Sequence, residues 1–162
     1  MKELSLAGLV REIGNAAAQM EAEEQTVLRH GARVVQRRAK SIIGHYQDDT
    51  GPFIPWQELA DSTIADKERQ GYGVPDPLLR TGDMRDSIEI TVGDGEAHIG
   101  SDDDIAVYQE LGTDRGLPPR SFLGAAAFQT KDKIGHLMGS TIVAALTGER
   151  VYNGSMTITD DE

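Results

Sequence analysis

The chain has 162 residues and no cysteine. That length fits one domain, and the missing thiols exclude disulfides and thiolate metal sites. A formal net charge of −11 argues against tight nucleic-acid binding, because phosphate contacts need clustered Lys and Arg. No basic-then-apolar leader pattern opens the sequence, and no run approaches the roughly 20 apolar residues of a membrane span. The expectation is a soluble protein made in the cytoplasm.

Residues 4 to 46 contain no proline. Leu6, Leu9, Val10, Ile13, Ala17, Met20, Val27, Leu28, Val35, Ala39, Ile42 and Ile43 recur at three- and four-residue steps, which is helical spacing. The stripe weakens across Glu21 to Gln25, so a break or bend is expected between Met20 and Thr26. Residues 1–22 would then form a helical extension. Arg29, Arg33, Arg37 and Lys40 fall on one side of the helix. A run of this kind ordinarily faces water. On an acidic chain it also suits head-to-tail contact with a second copy.

Asp48-Asp49-Thr50-Gly51-Pro52 ends this helix with turn chemistry. In Phe53-Ile54-Pro55-Trp56, Trp56 is expected to plug one end of the core. Ser62 to Lys67 has short-helix potential. Gln70 to Pro77, with two glycines and two prolines, reads as a loop. Thr81 or Asp83 would cap the next helical turn, and Gly82 suits a positive φ.

Ile88-Glu89-Ile90-Thr91-Val92 alternates apolar and polar residues, Gly93-Asp94-Gly95 signals a turn, and Glu96 to Ser101 returns. This is an antiparallel hairpin with Ile88, Ile90, Val92, Ala97 and Ile99 facing the helix. Asp102-Asp103-Asp104 lacks the ligand spacing of a calcium loop and reads as a cap for a following short helix. His30, His45, His98 and His136 are scattered without ligand spacing, and no G-x-S-x-G or phosphate-cradling glycine loop occurs. Catalytic residues, metal ligands and cofactors are therefore not assigned. A hydrolase remains only as a competing hypothesis.

Pro118 and Pro119 hold the chain extended before a second long helix over Phe122 to Leu146. Ser121 is placed to cap that helix, and Phe122 to enter the core or a neighbouring subunit. Residues 148–162 form an acidic, polar C-terminal arm with strand potential at Val151-Tyr152 and Met156 to Thr159. It is expected to lie across a neighbour or add a strand to it. The fold class is α+β: a single domain over 1–147, with the two long helices on a small twisted antiparallel sheet and extended arms at both ends.

Tyr108, Glu110, Gly112 and Thr113, then Pro118-Pro119-Arg120-Ser121-Phe122-Leu123 before an alanine-rich helix, form a pattern. It resembles the tail-completion or head–tail joining proteins of tailed-phage necks, often described as virion morphogenesis proteins. Leu79-x-Thr81-Gly82-x-Met84-x-x-Ser87-Ile88 is similar to that family's Leu-x-Thr-Gly-x-Leu-x-x-Ser segment. So is Gly31-Ala32-x-x-Val35-x-x-x-Ala39-Lys40, and Trp56-x-x-Leu59 fits the Mu-like branch. The likeness spans Gly31 to Ala127 and departs at Ile105, where the family has tyrosine.

The resemblance implies a structural virion protein, assembled in the host cytoplasm as a homo-oligomeric ring, commonly a hexamer. It would contact other neck, connector and tail proteins, with DNA passing through the channel unbound. A tail terminator or an unrelated protein-interaction adaptor is the alternative. Interface candidates are Thr81, Gly82, Tyr108, Glu110, Gly112, Thr113, Pro119, Arg120 and Phe122, with Arg29, Arg33 and Arg37 on the helix. An acidic lumen would repel DNA and let it slide; a pore lined by Arg29, Arg33, Arg37 and Lys40 would overturn that expectation.

Overall fold

The structure is a computed structural model. It describes the backbone of residues 6–93 and 95–147, and the side chains of Val10, Arg11, Glu21 and residues 24–141 apart from Asp94. The C-terminal arm expected over 148–162 lies outside the described residues. Within them the fold is α+β, with five helices and one two-stranded sheet.

Helix α1 (Leu6–Ile42) runs without interruption. The break expected between Met20 and Thr26 is absent. Glu21, Ala22, Glu23, Glu24 and Gln25 are strong intrinsic helix formers, so this stretch stays helical although its apolar stripe fades. A weak stripe marks a turn with little to bury, not a turn that must end. The helix stops before Gly44, which adopts φ 100° and donates its N–H to Pro77 O.

Helix α2 (Asp61–Arg69) leads into the loop 70–80, and the short α3 (Asp83–Asp86) follows. Gly82 holds the cap position of α3 at φ 96°, so glycine's left-handed freedom is used there. Gly82 itself has no side chain to cap α3, and the expected Thr81 contact is long: Asp83 N donates to Thr81 Oγ1 at 3.4 Å. The Thr81 hydroxyl donates in turn to Asp83 Oδ2 at 2.7 Å.

Strands β1 (Glu89–Gly93) and β2 (Glu96–Gly100) pair antiparallel, with Ile90 opposite Ile99 and Val92 opposite Ala97. Ile88 is fully buried, and Ile90, Val92, Ala97 and Ile99 are half-buried, so the alternation sorts the faces as expected. Ser87 and Ser101 tie the open end of the hairpin, hydroxyl to hydroxyl, at 2.6 Å. From α1, Gln36 donates to Ile88 O at 2.7 Å and Lys40 to Asp86 O at 3.2 Å, which fixes the hairpin's entry.

Helix α4 (Asp104–Leu111) and helix α5 (Leu123–Thr147) complete the chain. Arg38 bonds Gln129, and Gly31 lies beside Ile134, so α5 runs antiparallel along α1. The core gathers Val35, Ala39, Ile42 and Ile43 of α1 with Trp56, Ile88, Ala106, Phe122, Ala125 and Ala126. Trp56 does close this core, and its indole N–H donates to Ser121 O at 3.3 Å. Among the described residues no helix is long and apolar enough to cross a membrane.

Candidate functional site: the α4 junction

Glu110 organises the connection from α4 to α5. Its carboxylate accepts from Ser121 Oγ at 2.5 Å and from the backbone N–H groups of Phe122, Leu123 and Gly124 at 2.7, 2.9 and 2.9 Å. Those amides open α5 and have no partner within the helix. The positive end of the helix and three donors converge on one anion, so Glu110 is the cap of α5. Ser121 does not cap the helix through its hydroxyl, as the local sequence suggested. It hands that role to a residue eleven positions upstream by donating to it.

The loop between is equally determined. Gly112 ends α4 at φ 74°, and a Cβ there would lie 2.8 Å from Leu117 O and 3.0 Å from Pro119 N. Only glycine allows the returning backbone so close. Thr113 N donates to Leu117 O at 3.0 Å, and Arg120 N to Gln109 O at 2.6 Å. The Gly-Thr and Pro-Pro-Arg signatures are thus two sides of one stitched turn. At the other end, Asp103 Oδ1 accepts from Ile105 N at 2.8 Å and caps α4. The triple aspartate serves as the expected cap.

Arg120 and Phe122 turn inward. Phe122 is fully buried in the core. Arg120 is 5% exposed, and its Nη2 donates to Gln57 O at 3.0 Å and Glu58 O at 3.4 Å. Burial pushes its pKa down, opposed by Tyr46. It staples the Trp56 connector to the α4 junction. Lys67 does the same for the loop 70–80, donating to Asp76 O at 2.5 Å and Leu79 O at 2.9 Å. Burial lowers the Lys67 pKa as well. Both cations border a half-open cleft of about 770 Å³ whose rim includes Glu58, Asp76, Asp83 and Asp103. Gln109 Oε1 and Arg120 Nε are buried there without a partner in the structure. Among the described residues no three His, Cys, Asp or Glu side chains are grouped to hold a metal ion.

The outward side of α4 is unusual. Ile105, Val107, Tyr108 and Leu111 are 54, 51, 51 and 73% exposed. At about 100° per residue these four cover one arc of roughly 160°. Ala106, Gln109 and Glu110 fall on the opposite, inward arc. Apart from Asp104, which is exposed in the same arc, the large apolar groups face water and the small or polar ones face the protein, the reverse of an ordinary surface helix.

The remaining candidates divide by position. Tyr108 lies on this outward face; Thr81 and Pro119 are exposed; Gly82 is buried; Gly112 and Thr113 are half-buried in the turn. Arg29, Arg33 and Arg37 are exposed on α1, while Lys40 turns to the hairpin. Ile105, Val107 and Leu111 were not singled out as interface residues. The signal for them was present: after the opening Asp104, large apolar side chains at every position of the helix outside Ala106, Gln109 and Glu110. Comparison of the chain with protein-family models, curated proteins and solved structures returns no match.

Proposed function

We propose that this chain is a structural, non-catalytic protein of a tailed-phage neck. In this reading it is a tail-completion or head–tail joining protein that self-assembles into a ring and leaves a channel for DNA. One observation carries the reading: α4 presents Ile105, Val107, Tyr108 and Leu111 outward while Glu110 and Asp103 hold it rigidly in place. Contiguous exposed apolar surface on a charged protein marks a contact site. Aromatic and large aliphatic groups are the anchors that interfaces use.

The same helix lies in the stretch whose residues resemble the neck family. That stretch holds its shape through Gly112, Arg120, Phe122 and Glu110, so its signature positions describe a platform for α4. A net charge of −11 suits a wall past which DNA moves without adhering. The test is the mass of the purified protein by light scattering across micromolar concentrations. The wild type should form a discrete oligomer, and Tyr108→Ser with Leu111→Ser should leave a folded monomer. Density for the chain at the neck of an intact particle would place it; a location elsewhere in the particle, or a wild type that stays monomeric, would count against the reading.

A further inference from the structure

Another cavity lies between α1 and α5. It is a groove of about 410 Å³ with Val34, Ile134 and Leu137 on its apolar side and His30, Lys133 and His136 at its polar margin. Val34 is 8% exposed and forms the floor, while Lys133 and His136 stand exposed. Burial lowers the pKa of His30, and the positive charges of Arg37, Arg33 and Lys133 push it the same way. The groove is apolar at its base, and its positive charge comes from Lys133 at the margin with Arg33 and Arg37 nearby on α1.

The α4 face has the opposite character. Its apolar arc begins directly after Asp102, Asp103 and Asp104, and Asp114 follows its end. Two of these aspartates, Asp102 and Asp104, are exposed, as is Asp114. An apolar ridge with acidic ends matches an apolar groove bordered by Lys133 in polarity and charge. A chain carrying −11 repels its own copies at long range, so self-association needs a local patch of opposite sign. The α1–α5 groove supplies one.

We propose that the α4 ridge of one copy docks in the α1–α5 groove of the next, so that the contact between copies is head-to-tail. This rests on the self-assembly reading above and adds which two surfaces meet. The two surfaces belong to different elements, so after a first contact one copy keeps its groove free and the other its ridge. Such an interface closes into a ring or propagates. The volume of the groove admits side chains of the ridge, with Tyr108 and Leu111 as the anchors, and not a whole helix.

The test is complementation between two variants of the full chain. Leu111→Asp breaks the ridge. Lys133→Glu with His136→Glu reverses the groove margin at exposed positions and leaves the core alone. Each variant should melt like the wild type and be monomeric at about 100 μM, a hundredfold above a micromolar Kd. Mixed in equal amounts they should form a one-to-one dimer that grows no further, because the pair's one intact ridge and one intact groove are both used in that contact. A wild type that assembles beside a mixture that stays monomeric overturns the docking assignment and leaves the self-assembly reading standing. So does a groove variant that assembles like the wild type. A wild type that is itself monomeric at that concentration overturns both.

Discussion

Two helices of this protein obey opposite rules. Along α1, Val27, Val34, Val35, Ala39 and Ile42 point inward and Arg29, Arg33, Arg37 and Arg38 point to solvent. Burial of its apolar stripe is sufficient to hold α1 on the fold. In α4 the burial gain is nearly absent, because Ala106 is its one buried residue. Polar geometry holds α4 instead: Glu110 on three amides and a hydroxyl, Asp103 at its start, and Arg120 N on Gln109 O at its end. The contrast shows what frees a helix to expose an apolar face: it is anchored by polar contacts, and its apolar residues remain available for another chain.

This contrast can be broken most strongly at the core. Phe122→Ala should cost about 3–5 kcal/mol by removing a fully buried ring, read from urea unfolding. A loss under about 1 kcal/mol would mean that the core does not close over that site. Next comes the polar anchor. Glu110→Ala should cost about 2–3 kcal/mol, since it strands charge-assisted hydrogen bonds at the mouth of α5. If apolar burial held α4 after all, this change would be nearly silent. On the inward arc of α4, Ala106→Leu should cost about 1–3 kcal/mol by overfilling the core. On the outward arc, Leu111→Ser should leave the monomer's stability within about 0.5 kcal/mol and act only on assembly. A large loss from Leu111→Ser would show that the residue contributes to the fold of a single chain.

The legibility of the fold follows the same division. Local patterns were readable. The alternation over 88–92 gave the hairpin and its inward face, and the turn signals bounded it. Helical spacing gave α1 and α5. The mistaken break near Glu21 came from treating a fading stripe as an end, although those residues favour helix by themselves. Contacts between residues distant in the sequence were not readable. Nothing local tells that Glu110 caps a helix starting at Leu123, or that Lys67 and Arg120 spend their charge on backbone carbonyls of other segments. Phe122 was legible as an anchor because an aromatic after two prolines has few places to go except inward. Arg120 was not: its neighbour in the motif faces the same core, but a guanidinium is ordinarily expected at the surface.

The smallest expected effect compares a second carboxylate with Glu110. Asp66 accepts from Arg80, Arg69 and Gln70, as many partners as an anchor would need, yet this network lies at the surface. The hydrogen bond from Arg80, then that from Gln70, holds its carboxyl below the usual range. A carboxylate with a depressed folded pKa stabilises the fold above its unfolded pKa, and that contribution is lost as pH falls through the folded value. Asp86 beside Arg85 follows the same direction. The melting temperature of Asp66→Asn should therefore sit slightly below the wild type near neutral pH, and the two curves should converge as pH falls below about 4. Added salt should narrow the gap at neutral pH, because exposed pairs are screened. A gap that persists at low pH would mean that Asp66 acts through packing and not through its charge. A gap at neutral pH as large as that of Glu110→Ala would mean that location at the surface does not separate the two carboxylates, and the distinction between a half-buried polar anchor and a solvated ion network would fail for this fold.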